Sequence, residues 1–303
     1  MIERELATLQ NDLSPPFACS MPAQQTTPLV FSSPHSGRTY AHGFQADTIL
    51  SPHALRKSED AYVDLLYANV VYRGAPLLAA RFPRAYLDAN REPNELDPQL
   101  IEGALPETAN TQSARVIGGL GVIPRVVADG EPIYRHKIPL AVAEARLRYL
   151  YQPFHECLAA LVQTTAETFG AACLIDCHSM PSAAGGNPQT RRPHFIIGDR
   201  FGTSCAPKLT QLVARVLTDE GFDVQLNRPY AGGFITEHYG RPANGIHALQ
   251  IEINRGLYLD ENRIVPSANF TTIQAVLDRL TARLAFEAPQ ILGLAAPHQQ
   301  AAE

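Results

Sequence analysis

Residues 174–182 read LIDCHSMPS, and the fold turns on this stretch. The apolar run ACLID (172–176) climbs to Asp176, gives way to Cys177, His178 and Ser179, and meets Pro181. A β-strand alternates its side chains between two faces, so Asp176 and His178 share one face and Cys177 takes the other. An aspartate beside a histidine can accept a ring N–H, orienting the imidazole and fixing its tautomer. A metal-ligand histidine needs that arrangement, and many structural histidines have it too. A strand with an apolar body and a polar end fits a sheet whose chemistry lies at its strand ends.

Working outward, further strands are predicted at LVFSS (29–33), PLLAARF (76–82), AYLDAN (85–90), HFIIGD (194–199), FDVQLN (222–227) and ALQIEIN (248–254). Helical spacing of apolar residues marks 60–74, 138–170, 204–221 and about 268–286. Pro153 is expected to bend or break the long helix around it. Strands alternate with helices, so the predicted class is α/β: one domain with a mixed, mainly parallel central sheet and helices on both faces. The expected organisation is a loose polar lead-in at 1–27, a single domain at 28–290 and a tail at 291–303. Residues 91–130 are rich in Pro, Gly, Asn and acidic groups and read as a long surface excursion. Loops of that length are usually functional or flexible.

The chain has 303 residues, 45% of them hydrophobic and 18% charged, as in an ordinary globular enzyme. Its net charge of −5 gives no nucleic-acid surface. Any anionic substrate must therefore meet a local cluster of arginines. No apolar stretch reaches the ~20 residues of a membrane span. The N-terminal MIERELATLQND has no apolar core of a signal peptide, so the expected location is the cytoplasm. Cys19, Cys157, Cys173, Cys177 and Cys205 are odd in number and irregularly spaced, and are expected to be reduced, buried fillers.

Four segments carry chemistry-bearing residues: SSPHSGR (32–38) with His35, SEDAYVD (58–64) with Glu59, Asp60 and Asp64, DCHS with His178, and QIEINRGLY (250–258) with Glu252. Two histidines and a carboxylate form a common catalytic zinc set that leaves a position open for water. A further glutamate can then act as general base. The spacing is not diagnostic, and alone Asp60 also reads as a helix cap and His35 as a loop histidine. Glu252 is harder to dismiss, because a carboxylate inside QIEI is costly to bury unless paired or functional. Arg91, Arg125, Arg241 and Arg255 border strand-like segments and can grip carboxylates with two parallel hydrogen bonds. The glycines of NRPYAGGFITEHYGRP (227–242), Gly233 among them, permit close backbone approach to a ligand.

Six stretches in order, SSPHSG (32–37), SEDAYVD (58–64), LDANREPNELDP (87–98), LIDCHSMPS (174–182), RPYAGGF (228–234) and HALQIEINRGLY (247–258), together resemble the N-formylglutamate amidohydrolase family. The resemblance runs from about residue 28 to 290. It implies a fold like that of zinc-dependent exopeptidases and aspartoacylases. It also implies hydrolysis of N-formyl-L-glutamate to formate and glutamate, classically in histidine breakdown. His35 and His178 match the metal histidines, and Asp60, with Glu59 adjacent, the carboxylate ligand of Zn2+ or another divalent transition metal. Glu252 matches the catalytic glutamate, and Asn90 and Arg91 the Asn-Arg pair that holds a carboxylate or polarises the scissile carbonyl. Arg125, Arg241 and Arg255 are candidates for the second cationic anchor of a small anionic N-acyl amino acid. Ser58–Ala61 departs from the Asp-Thr-Asp-Trp-like stretch of many relatives, which bears on substrate identity. Alternatives are a hydrolase of another N-acyl amino acid, a carboxypeptidase-like exopeptidase, or a metal-containing sensor that binds without turnover.

Overall fold

The computed structural model describes residues 2–127, 130–184, 187–191 and 193–294, so most of the expected tail at 291–303 lies outside the described residues. Seven strands form one sheet: β1 (Phe17–Ser20), β2 (Leu29–Ser33), β3 (Leu77–Ala80), β4 (Ala172–Met180), β5 (Phe195–Gly198), β6 (Val224–Leu226) and β7 (Ile246–Asn254). Their order is β1-β3-β2-β4-β7-β5-β6. The β3–β2, β2–β4, β4–β7 and β5–β6 pairings are parallel, and the β1–β3 and β7–β5 pairings antiparallel. The sheet is thus mixed and mainly parallel, as the sequence predicts.

Both faces are covered. One carries the helices Ile2–Asn11 and Leu140–Arg146, and the long helix Gln152–Phe169, over a core that includes Val30, Leu174, Phe154 and Leu158. The other carries the segment 63–73 and the helices Pro207–Asp219 and Phe270–Ile291, over Phe31, Ile175, Cys177 and Ile251. The Pro207–Asp219 helix shows how the pattern produces the layer. Leu209, Leu212, Val213, Val216 and Leu217 recur at helical spacing and are all buried. Pro207 opens that helix, where its missing N–H has no intrahelical partner to lose. Among the described residues, no helix is long and apolar enough to cross a membrane.

Five expectations need correction. The supposed lead-in is built into the fold: Ile2–Asn11 is a helix with buried Leu9, and β1 pairs with β3 at the sheet edge. FACS is too short to announce itself as a strand, and only the β3 backbone beside it supplies the pairing. AYLDAN is not a strand but a run of turns, in which Asp88 N–H donates to the Val122 carbonyl. The excursion at 91–130 is not a loose surface segment, since Leu96, Leu100, Ile101, Val122 and Ile123 sit in the first core. Of the cysteines, Cys173, Cys177 and Cys205 are buried, but Cys157 is only half-buried and Cys19 is exposed. Pro153 leaves the helix continuous, with a π-helical turn at Leu147–Tyr151 just before it.

Candidate active site

The site lies where the strand order reverses. The chain leaves β2 for β3 on one side and returns as β4 on the other, the position at which open α/β sheets bind ligands. One face of β4 and β7 changes character along its length. Leu174 faces Ala248 across the pair and both join the apolar core; then Asp176 faces Gln250, and His178 faces Glu252. Period-two alternation places these four polar groups on one face and leaves Cys177 and Ile251 in the opposite core. Ser32 of β2 lies opposite Asp176 and donates its hydroxyl to it at 2.6 Å. His35 follows directly after β2.

Three side chains converge here. Ligand atoms of His35, Asp60 and His178 lie within 4.8 Å of one another, and all three residues are buried. Each imidazole is held from behind by a carboxylate: His35 Nε2 by Asp88 at 2.7 Å, and His178 Nε2 by Asp176 at 2.7 Å. An ionised carboxylate only accepts, so both Nε2 atoms donate, and the two Nδ1 atoms are left to face Asp60 Oδ2, at 3.0 Å from His178 and 3.4 Å from His35. A positive charge, a proton or a metal ion, belongs between these atoms. Among the described residues His35 Nδ1 is buried with no hydrogen-bond partner, which is the state of a ligand atom. The residues therefore fit a divalent metal held by two Nδ1 atoms and one carboxylate oxygen.

The electrostatics agree. Burial pushes the His178 imidazole down, but the Asp176 and Asp60 carboxylates overcome it and hold it well above its ordinary range. Burial likewise works to raise Asp60, and the adjacent His178 and His35 imidazoles outweigh it, so that its carboxyl lies well below the usual range. The cluster is thus arranged to stabilise positive charge at its centre. Glu252 differs: burial, with the Asp60 charge adding to it against His178, pushes it up to about 7. Gln250 donates to one Glu252 oxygen at 2.7 Å and accepts the Gly233 N–H at 2.9 Å, so the glutamate is held in place.

A cavity of about 580 Å³ opens over the cluster, lined by His35, Asp60, His178, Asn90, Arg91, Gly233, Glu252 and Arg255 among others. Asn90 accepts from the Ile235 N–H at 2.7 Å and directs its amide at Asp176 at 3.3 Å. Gly233 does allow a close approach, but to Asn90: a Cβ there would come within 2.4 Å of the amide. Arg91 donates to the carbonyls of Leu120 and Asn90 and lies 3.5 Å from Asp88. Arg255 grips Asp60 Oδ1 at 3.0 Å.

Other candidates lie elsewhere. Glu59 turns away to Arg56, at 3.0 Å, and to the Tyr40 hydroxyl, and Asp64 pairs with Arg38. The capping reading of Asp60 fails, because Tyr62 precedes the helix Val63–Leu66 and the Asp60 side chain faces the histidines. Arg125 is not among the cavity-lining residues and is bound to Asp97 at 2.7 Å. Arg241 lines a separate hollow of about 430 Å³ and donates to the Glu237 and Gly240 carbonyls. Sequence reasoning did not single out the lining residues Arg84, Arg115, Arg200 and Lys57, or the supporting residue Asp88. Asp88 stands in the quoted LDANREPNELDP, three residues before Arg91, and that acidic-basic spacing was the available signal.

Fold and cluster together define the class: an α/β protein whose pocket gathers two histidines and an aspartate at the carboxyl ends of its parallel strands. The chain belongs to the N-formylglutamate amidohydrolase family, whose sequence profile matches residues 27–259. It is 34% identical over 238 residues to the N-formylglutamate deformylase of Pseudomonas aeruginosa, covering 77% of this chain and 83% of that one. The N-formylglutamate deformylase of Pseudomonas putida is 31% identical over 242 residues, 78% of this chain and 84% of that one. The crystal structure of N-formylglutamate amidohydrolase from Ralstonia eutropha JMP134 superposes with a TM-score of 0.86 at 36% identity, covering 91% of this chain and 99% of that one.

Proposed function

We propose that this protein is a metal-dependent deformylase that hydrolyses N-formyl-L-glutamate to formate and L-glutamate, in histidine breakdown. The observation that carries the reading is the orphaned, buried Nδ1 of His35, which meets Asp60 and His178 beside Glu252 in a chain of this family.

His35, Asp60 and His178 would hold the ion, and the donor set suits zinc. When bound, such an ion polarises a carbonyl and lowers the pKa of water to about 7. Glu252 takes the proton from the attacking water and returns it to the nitrogen of the departing glutamate. A group near 7 can do both, because neither direction of transfer is steeply uphill. Gln250 keeps one of its oxygens in position. Asp88 and Asp176 fix the imidazole tautomers, and Arg255 orients Asp60. Arg91 binds the substrate carboxylate nearest the scissile amide. A binding or sensor protein would have no use for a buried glutamate tuned to about 7, which favours turnover over the sensor alternative.

The test is formate release by purified, metal-analysed protein from N-formylglutamate, N-formylleucine and N-acetylglutamate. The expected result is cleavage of N-formylglutamate with kcat/KM at least about tenfold above the other two, loss of activity with a chelator and recovery with zinc. His178→Ala should retain its fold and lose the ion. Equal cleavage of all three substrates would replace this reading with a general N-acyl amino acid hydrolase. A folded His178→Ala protein with full metal content would overturn the metal assignment.

A further inference from the structure

We infer that Arg115, carried into the cavity by the 91–130 excursion, is the residue that recognises the side-chain carboxylate of the substrate and so sets the preference for an acidic amino acid. This rests on the deformylase reading and extends it to a residue outside every motif quoted above.

The cavity has one markedly basic wall, formed by Arg84, Arg91 and Arg115. Arg84 is bound to Asp88 at 2.9 Å, and Arg91 reaches the same carboxylate at 3.5 Å. Arg115 is held differently. Its ion pair with Glu95 spans 3.9 Å, too far for a hydrogen bond, and among the described residues no hydrogen bond engages its guanidinium. It is nevertheless close enough to Arg91 to act on it: burial first, and then the charges of Arg84 and Arg115, bring Arg91 down to about 10. Cations crowded together repel one another; Asp88 serves Arg84 and Arg91, and among the described residues Arg115 has only its loose pair with Glu95. A dianionic ligand supplies what the wall lacks.

The cavity lining offers a partner for each part of the substrate. Arg84 and Arg91 share the carboxylate that holds the ligand histidine His35, so they stand next to the reacting centre. Arg115 pairs with a different carboxylate, Glu95, and the apolar Leu120, Pro124 and Val126 also line the cavity. In N-formylglutamate two methylenes separate the carboxylate near the amide from the distal one. Arg91 then meets the near carboxylate, the apolar residues meet the methylenes, and Arg115 makes a charge-assisted contact with the far one. Arg115 sits on the short helix Ala114–Ile117, which Ser113 caps by accepting the Val116 N–H. The excursion is therefore ordered where it presents this side chain.

The experiment measures kcat and KM for N-formyl-L-glutamate and N-formyl-L-glutamine in the wild type, Arg115→Gln, Arg115→Lys and Arg200→Gln, with thermal melting alongside. Arg200 also lines the cavity and is already paired with Glu237 at 2.7 Å, so it is the comparator. The wild type should prefer the glutamate substrate. Arg115→Gln should reduce that preference at least tenfold, mainly through KM, and Arg115→Lys should restore part of it. Equal losses on both substrates would mean that Arg115 only neutralises Glu95, and would overturn the assignment. So would a preference that survives Arg115→Gln or that collapses in Arg200→Gln. A wild type that releases formate from neither substrate would overturn the deformylase reading itself, a result distinct from a discriminating wild type whose preference ignores Arg115.

Discussion

Two buried polar regions lie on the same side of the sheet and are built on opposite principles. In the first, Arg146 donates to Glu5 at 2.6 Å, to the Tyr134 hydroxyl at 2.6 Å and to the Tyr86 carbonyl, and stacks on the Tyr86 ring. Tyr86 in turn donates its hydroxyl to Glu5. Every charge there has its counter-charge and its hydrogen bonds, and this network ties the N-terminal helix to the core. In the second, His35, Asp60 and His178 turn ligand atoms towards one another, His35 Nδ1 has no hydrogen-bond partner among the described residues, and Glu252 is pushed up to about 7. The closed network binds the fold together. The open cluster has room for something from outside the chain. Buried polarity alone does not mark function; buried polarity whose partners are missing does.

The largest expected effect comes from the open region. Glu252→Gln keeps the shape and removes the base, so kcat for formate release should fall about 10²–10⁴-fold while metal content and melting temperature hold. A fall of less than tenfold would make Glu252 structural and erase the contrast.

Next is the closed region. Arg146→Met strands the Glu5 carboxylate among buried groups and should cost about 3–5 kcal/mol in urea unfolding, with kcat/KM of the folded protein within about twofold of wild type. The double variant Glu5→Leu with Arg146→Met should recover most of that loss, because breaking a buried pair costs more than replacing it. A large drop in catalysis from Arg146→Met alone would show that the two regions are coupled.

A smaller effect sharpens the comparison through pH. In chelator-treated protein the Glu252 carboxyl rises from 4.5 to about 7 on folding. The folded state then holds the proton more tightly than the unfolded one. Relative to Glu252→Gln, the wild type is therefore most stable below about pH 4.5 and loses that advantage as pH climbs through about 7, by up to about 3 kcal/mol. Urea midpoints of both proteins at pH 5 and pH 8 measure this directly. A difference that does not change with pH would mean the carboxyl is better solvated than its burial implies.

The smallest effect concerns Arg91. Arg91→Ala should lower kcat/KM for N-formylglutamate at least about tenfold, since a charge-assisted contact is worth roughly 1.5–3 kcal/mol. Arg91→Lys should recover it only in part, because a point charge does not reproduce the planar fork. Full recovery by lysine would reduce the role of Arg91 to simple charge.

The layered α/β class and most of the sheet strands were legible in the sequence, which also offered His35, His178 and either Glu59 or Asp60 as candidates for the cluster. The signals for class, strands and His178 are local. Apolar runs with fixed periods report which faces are buried, and Asp176 with His178 is an i, i+2 pair that any strand places on one face. Glu252 could be read as exceptional because a carboxylate in an apolar strand is costly wherever the strand goes. Tertiary structure alone decided the rest. Only the register of β4 against β7 sets Glu252 beside His178, and only the return of the chain to Asp60 distinguishes it from Glu59. Asp88 became the support of His35 through a contact 53 positions apart. Ile2–Asn11 and β1 could not be foreseen, because Glu5 and a four-residue strand are stabilised only by Arg146 and the edge of β3. The arginines divide in the same way. Arg125 and Arg241 are spent on Asp97 and on backbone carbonyls, whereas Arg115 reaches the cavity with only a loose pair to Glu95, because charge and composition give the number of cations while packing alone decides how tightly each is held.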